Sequence, residues 1–245
     1  MRTPLIVPTI ALLLGLSGVA CRGDAMDVKH VFHDADIERL ADAAADGDAS
    51  RVRTLVDDGV DPDAHGDKGI NLLQYAILVR SERGLIALLD AGADPNRPGL
   101  GGSTAVHSAA ITNDPDVLRV VLAHRGDPNA RHGETGATPL ADATGPRTDA
   151  QFHMLLDAGA DPNLADRTGN TPLHKAAMLN AGAQVLALLH KGADASARNA
   201  QSASFQRYYF KLPAAKLSTV ARAQREAVIA WLRGHGVPLE AGAEV

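Results

Sequence analysis

Histidine, aspartate and cysteine are the side chains through which this chain could do acid–base or metal chemistry. The sequence holds 10 His and one Cys in 245 residues, and one cysteine cannot build a cysteine-based zinc or iron–sulfur site. His30 and His33 stand close together, but two imidazoles in a leader lack the further ligands that a metal needs. The catalytic motifs GxSxG and HExxH and the phosphate-binding P-loop are missing. We therefore expect no catalytic residue, no metal and no cofactor, and predict that the chain is not an enzyme.

The overall composition is that of a folded chain that does not bind nucleic acid. Hydrophobic residues make up 45% of the chain and the formal net charge is −5, whereas a nucleic-acid binder needs a basic stripe for the phosphates. Aromatic residues make up only 3%, which leaves little with which to build one large globular core. An array of small units fits this composition better.

Residues 1–21 have the layout of a secretory signal, with a positive charge near the start, an apolar stretch and small residues at the end. The ending LSGVAC resembles the lipobox of bacterial lipoproteins, whose cysteine is lipidated after cleavage. That resemblance implies lipidation of Cys21. Gly18 stands where the family usually carries an aliphatic residue, so ordinary signal-peptide cleavage and secretion to the periplasm remain the alternative.

The residues after the cysteine give the expected location. Arg22 follows Cys21, and in bacterial lipoproteins a residue other than aspartate at this place implies the outer membrane. Residues 22–33 lack helical periodicity and are predicted to be a tether. We therefore expect a periplasmic protein that contacts the membrane through its N-terminal lipid.

The remainder of the chain repeats itself with a period of about 33 residues. The phrases GVDPD, GADPN, RGDPN, GADPN and GADAS place aspartates at nearly constant intervals; these are Asp61, Asp94, Asp127, Asp161 and Asp194. A second phrase follows each of the first four, as NLLQYAI, TAVHSAA, TPLADAT and TPLHKAA, and an apolar phrase comes after it. Self-similarity at this period is typical of stacked two-helix repeats.

Local chemistry explains the second phrase. Pro172 stands at a first helical position, where its missing amide hydrogen has no intrahelical partner, and Thr171 can cap the helix. Ala176 and Ala177 keep the helix narrow, so that neighbouring repeats can approach closely. Gly192 follows the second helix, where a left-handed residue ends it. Each repeat is therefore predicted to hold two short helices and a loop.

The phrases TPLHKAA and GADPN, together with their period, resemble ankyrin repeats. The resemblance implies an all-α solenoid of stacked helix pairs with short β-hairpin-like loops. It also implies that His107 and His174 bridge backbone groups between repeats. The expected divisions are a cap at 34–61 whose two helices break at Gly47, internal repeats at 62–194, a divergent C-terminal repeat at 195–238 and a tail at 239–245.

The family binds its partners on a concave surface made by loop tips and first-helix edges. By this resemblance, twelve residues are expected to contact a partner: Asp67, Lys68, Ile70, Leu100, Ser103, Glu134, Thr135, Arg167, Thr168, Asn170, Met178 and Leu179. An exposed Met178–Leu179 pair favours a contact role, although packing on the next repeat is the alternative.

The last repeat departs from the pattern. The segment SASFQRYYFKLP holds half of the chain's aromatic residues, and extra residues are inserted after it, which should extend the turn between the helices. One interpretation is that these rings, with Trp231, seal the end of the stack as a cap. The other is that Tyr208 and Tyr209 anchor a partner, because tyrosine is common at interface hot spots.

From these features we predict that the chain is a protein-binding module, which is a monomer when it has no partner bound. Some bacterial ankyrin lipoproteins are immunity proteins that occlude phospholipase-type effectors of type VI secretion, and SFQRYYF followed by AxxREAVIAWLR is similar to that group. An envelope scaffold or stabiliser of a resident periplasmic enzyme is the alternative. An enzyme with an unrecognised site is the third hypothesis.

Overall fold

The computed structural model describes residues 31–243. The predicted signal with Cys21, residues 22–30 of the predicted tether and the last two residues lie outside this range. Within it the chain forms α-helices, short 3-10 turns and one isolated β-bridge between His65 and Asn71. The helices are α1 (Ala35–Asp46), α2 (Ala49–Asp57), α3 (Leu72–Leu78), α4 (Glu82–Asp90), α5 (Ala105–Ala110), α6 (Pro115–Ala123), α7 (Pro139–Asp142), α8 (Asp149–Asp157), α9 (Pro172–Met178), α10 (Gly182–His190), α11 (Phe205–Tyr209) and α12 (Thr219–Gly234).

The helices stack in two layers. Each odd-numbered helix packs on the next odd-numbered one from α1 through α11, and most also pack on the even-numbered helix that follows them. The even-numbered helices form the second layer, in which α2 packs on α4 and α10 packs on α12. One continuous apolar core runs between the layers. This confirms the predicted all-α solenoid of helix pairs, and we call the two sides the first-helix face and the second-helix face.

The start of α9 shows how the repeated phrase produces a helix. Thr171 has an extended backbone, and its side chain forms a capping box with His174, two residues beyond Pro172. Leu173 and Ala176 face the core and are buried. The helix is only seven residues long, so packing of its apolar side stabilises it more than its intrinsic propensity does.

The N-terminal end of the stack begins earlier than the sequence predicted. Val31 and Phe32 are buried, and the ring of Phe32 meets that of Tyr75 edge to face at 5.4 Å. The carbonyl of Val31 accepts a hydrogen bond from the backbone N–H of Asp67 at 2.8 Å. The tether prediction is therefore wrong for its last residues, because an apolar pair covers the open edge of the first loop.

The C-terminal repeat also differs from its expected form. Residues 210–218 connect α11 to α12, and α12 has 16 residues where α10 has 9. The insertion thus lengthens the second helix as well as the turn. Beyond α12, the backbone N–H of Glu240 donates to Gln206 Oε1 at 3.1 Å and Ala243 is buried, so the described part of the predicted tail packs on α11.

None of the helices between residues 31 and 243 is long and apolar enough to cross a membrane. The same part of the chain holds no group of three His, Cys, Asp or Glu side chains arranged to bind a metal ion.

Candidate protein-binding surface

The repeated histidines are committed to holding neighbouring repeats together. In α9, His174 Nδ1 accepts from the Thr171 backbone N–H at 3.3 Å, and His174 Nε2 lies 3.1 Å from the carbonyl of Ala203 in the next repeat. Nδ1 is thus the acceptor and Nε2 the donor. In α5, His107 Nε2 lies 3.2 Å from the carbonyl of Ala137. The bridging role implied for both histidines is confirmed.

Burial keeps these imidazoles neutral. Desolvation, only partly offset by the carbonyl acceptor, lowers the pKa of His107 to about 4. Burial is also the main reason that the pKa of His174 is lowered. In the first repeat Gln74 makes the equivalent bridge, donating to Ser103 Oγ at 2.8 Å. Because an amide replaces the imidazole without loss of the bridge, the position serves structure and requires no titratable group.

A ladder of asparagines ties the loops together on the edge of the stack. Each Oδ1 accepts from the backbone N–H of the aspartate in the next loop, and each Nδ2 donates to the carbonyl two residues before that aspartate. The asparagines are Asn96, Asn129 and Asn163, with Oδ1 distances of 2.6, 2.7 and 2.7 Å. The sequence predicted the turns but not this ladder, because the bonds join residues of neighbouring repeats that are remote in the chain.

On the first-helix face, one position of the repeated phrase holds a residue that changes from one repeat to the next. It is the position directly after His174 in α9 and its counterpart in the other repeats. The residues at this position, from the first repeat to the last, are Tyr75, Ser108, Asp142, Lys175 and Tyr208. Their neighbours in the phrase recur, whereas these vary, so the fold does not dictate their identity. We call this position the floor of the first-helix face; the sequence prediction named Tyr208 among these five residues and missed the other four, although their variability against a constant background was a signal.

Charges on this floor are coupled. Lys175 Nζ lies 3.1 Å from Asp166 Oδ2, and the Asp166 side chain also accepts from the Thr168 hydroxyl at 2.6 Å. Asp142 keeps an exposed edge, yet desolvation between neighbouring repeats raises the pKa of Asp142 to about 6 against the opposing attraction of Lys175. The floor therefore presents an ion pair beside a carboxylate that is easily protonated.

Most of the residues predicted to contact a partner are accessible on this face. Eight are exposed, namely Asp67, Lys68, Glu134, Thr135, Arg167, Thr168, Met178 and Leu179; three are partly buried, namely Leu100, Asn170 and Tyr208. Several also hold the loops in place: Arg167 donates to the carbonyl of Gly133 at 2.6 Å, and Asn170 Oδ1 accepts from Asn199 at 2.8 Å.

Three of the predicted contact residues are wrong because they are buried. Ile70 packs into the core between loop and helix. Ser103 is held inside by its bonds to Gln74 and to the carbonyl of Leu100, at 2.8 and 2.6 Å. Tyr209 packs on Phe210, with ring centroids 5.3 Å apart, and is 1% exposed. Loop position and residue type do not reveal which side chains point inward.

The aromatic segment of the last repeat forms a cap. Phe205, Tyr209 and Phe210 are buried, and Tyr208 is partly buried with its hydroxyl 2.8 Å from Asn199 Nδ2. The guanidinium of Arg225 lies 5.8 and 5.6 Å from the Tyr209 and Phe210 ring centroids. The interpretation of these rings as an end seal is therefore confirmed for the three buried side chains.

Stacked helix pairs with bridging histidines and asparagine-tied loops define an ankyrin-repeat solenoid, which is a protein–protein binding module. Residues 88–141 match the family model for ankyrin repeats in many copies, and residues 168–200 match the model for a single ankyrin repeat. The matched residues are about a third of the chain, and the described residues as a whole have the ankyrin-repeat fold. This fold is typically a binding scaffold without catalytic activity.

Known proteins resemble the chain to different degrees. Protein PhlB of Serratia liquefaciens is 43% identical over 102 residues, which are 42% of this chain and 45% of that protein. The chain thus spans less than half of that relative. A chain in the solved complex of the Bd0816 predatory endopeptidase of Bdellovibrio bacteriovorus with immunity protein Bd3460 matches with a TM-score of 0.59 and 23% identity, over 70% of this chain and 90% of that one. The ankyrin repeat protein EF0377 matches with a TM-score of 0.65 and 22% identity, over 78% and 96%. The two structural likenesses show the fold.

Proposed function

We propose that this chain is a lipid-anchored periplasmic module that binds one protein partner on its first-helix face. The observation that carries the proposal is the division of labour among polar side chains. Those that recur bridge neighbouring repeats, while most of those that change from repeat to repeat are accessible to solvent, as Lys175 and Glu134 are; Tyr75 is the buried exception. Variable side chains on a constant scaffold are how repeat proteins acquire specificity.

The partner that fits best is an enzyme directed against the envelope, which the module occludes as an immunity protein. A structural neighbour comes from a complex of an endopeptidase with an immunity protein, which gives this arrangement a precedent in the same fold. A long concave face can cover an active-site entrance without any chemistry of its own. Within this proposal the enzyme is a phospholipase-type effector of type VI secretion, and lipidated Cys21 holds the module at the outer membrane where such an enzyme acts.

Periplasmic co-expression with the effector encoded by a neighbouring gene tests the immunity role. We expect cells to survive only when this chain is present. Equal killing with and without it contradicts immunity. If deletion of the chain instead lowers the level of a resident periplasmic enzyme without poisoning, the envelope scaffold is the correct function. Lipid or peptidoglycan hydrolysis by the purified chain, lost on substitution of His107 or His174, would establish an enzyme.

A pair of charge reversals tests the binding face. Lys68 and Glu134 are both exposed loop residues, so Lys68→Glu with Glu134→Lys changes the face and leaves the net charge unchanged. We expect partner affinity to fall by about tenfold or more. The matched control, Arg53→Glu with Asp57→Lys, makes the same exchange on the exposed side of α2 and should leave affinity unchanged. Equal effects of the two pairs would place binding elsewhere.

The anchor has its own test. Metabolic labelling with a palmitate analogue should mark the wild-type chain, and Cys21→Ala should abolish the label and move the chain from membrane to soluble periplasmic fractions. Label retained in Cys21→Ala contradicts lipidation at this residue and leaves the binding proposal unaffected.

A further inference from the structure

A shallow apolar groove separates α10 from α12 on the second-helix face. Its volume is about 590 Å³, and its walls include Gly182 and Leu186 of α10 and Val220, Ala223 and Ala227 of α12. Gly182 has a structural reason: a Cβ atom there would lie 2.5 Å from the Tyr209 hydroxyl. The small side chains on both helices leave a trough between them.

Most of the exposed large apolar side chains lie in the last two repeats, and one of them lines the trough. Of the five large hydrophobic residues that are exposed in the described chain, four belong to the last two repeats. Val220 lines the groove and is 67% exposed, and Leu179, three residues before Gly182, is 57% exposed. Met178 and Leu212 are 43% and 40% exposed. Among these four residues Val220 is the one that lines the groove, and an exposed apolar side chain in an apolar groove marks a candidate contact.

The charge of this end of the solenoid indicates the kind of partner. Residues 211–234, which hold the connection to α12 and the helix itself, carry four exposed Lys or Arg against one Glu. Around the groove, Lys216 and Arg222 lie on the approach to and the first turns of α12, and Glu226 is the acidic residue on that helix. A basic surround attracts an acidic partner and repels a basic one.

We propose that the groove between α10 and α12 binds an amphipathic, acidic helix of a partner protein, with the apolar side of that helix in the trough and its carboxylates toward Lys216 and Arg222. Helix-in-groove docking of this kind uses apolar anchors spaced three and four residues apart. The site is separate from the first-helix face and goes beyond the function proposed above.

The only tryptophan of the chain makes the site directly observable. Trp231 lies on α12 four residues after Ala227, so it occupies the same side of the helix one turn beyond the groove. The probe is an 18-residue model helix without tryptophan, with leucines spaced three and four apart and glutamates elsewhere; its twin carries lysines for glutamates. We expect the acidic helix to change Trp231 emission saturably and the basic twin to bind at least about tenfold more weakly.

Ala223→Glu places a carboxylate in the trough and should weaken binding of the acidic helix by about tenfold or more. Ala150→Glu, the same change on the exposed start of α8, is the matched control and should bind as wild type. No binding of the acidic helix, equal binding of both peptides, or equal loss in the two variants overturns the proposal. A response to phosphatidylglycerol vesicles without a response to the acidic helix assigns the surface to lipid and also overturns it.

Discussion

The internal repeats and the C-terminal repeat use the same positions for different tasks. In α9, Ala176 and Ala177 leave room for the helix that packs beyond them, and His174 reaches across to the next repeat. In α11, Tyr209 and Phe210 stand at the positions of these alanines, one repeat later. Nothing in the described chain stacks beyond α11 as a further helix pair, so the space that an internal repeat must leave empty is filled by rings.

At an internal interface the side chains are limited by the space between packed helices. At the end of the stack they must instead be large enough to cover the apolar surface that no further repeat covers. Small residues and a polar bridge are compatible with close helix approach, whereas an end must remove apolar surface from water with its own side chains. The two regions should therefore respond differently to mutation.

Truncation of the terminal ring should have the largest effect. Tyr209→Ala leaves a cavity beside Phe210 and should lower the free energy of unfolding by about 3–5 kcal/mol. The urea midpoint measured by Trp231 fluorescence, which reports on α12, should fall further than the midpoint measured by far-UV circular dichroism. Tyr208→Ala, whose ring is partly exposed, should cost only about 1 kcal/mol. Similar losses for the two tyrosines would contradict the cap.

The internal bridge should make the fold acid-sensitive. The pKa of His107 falls from 6.5 to about 4 on folding, so between these values the unfolded chain binds the proton and the folded chain does not. Its stabilising contribution is complete above pH 6.5 and should decrease by about 3 kcal/mol as the pH falls to 4.

The substitution that checks this is His107→Gln, because Gln74 already makes the same bridge in the first repeat. Urea titrations at pH 4.5 and 7 should show a smaller pH dependence in His107→Gln than in wild type. If the free energy of unfolding depends on pH equally in His107→Gln and wild type, other groups cause the acid sensitivity.

The cation of the terminal cap should be dispensable for stability. Arg225 is 1% exposed and donates to the carbonyl of Tyr209 at 3.0 Å, but its Nε and Nη1 find no acceptor among the described residues. Replacing a buried charge by an apolar side chain of similar length is often neutral or stabilising. Arg225→Met should therefore raise the free energy of unfolding by about 1–2 kcal/mol, seen as a higher thermal midpoint. Arg233→Met, at an exposed position, should leave the midpoint unchanged. A loss on Arg225→Met would show that its contact with the rings outweighs the desolvation.

The carboxylate on the floor should have the smallest effect. Folding raises the pKa of Asp142 from 3.8 to about 6, so the charged carboxylate destabilises the fold above pH 6. This penalty disappears as the pH falls from 6 to 3.8. The effect on the free energy of unfolding therefore has the opposite pH dependence to that of His107. Since Asp142 is partly in contact with solvent, Asp142→Asn should add only about 0.5–1 kcal/mol at pH 7 and nothing at pH 4. A gain at pH 4 equal to that at pH 7 would contradict the shifted pKa.

Much of the fold could be predicted because its determinants are local and repeated. Thr171 and Pro172 are a local helix-start signal, and Gly47, with a left-handed φ of 69°, ends α1 where the sequence placed a break. The burial of Ile70 and Ser103 could not be predicted, because it depends on contacts with residues remote in the chain, such as the bond from Gln74 to Ser103. The groove was missed for a similar reason, since the whole of α11 and its connections separate α10 from α12 along the chain.

Residue types a few positions apart, and their repetition, were sufficient to predict the period, the helix pairs and the turns, whereas the bridging role of His107 and His174 followed from the resemblance to ankyrin repeats. The packed structure was needed to show that Phe32 and Tyr209 close the two ends, that Asp142 and Lys175 share one floor, and that small residues on α10 and α12 leave a trough. These features depend on distances between side chains remote in the chain, and such distances are set by packing of whole repeats and not by any local preference.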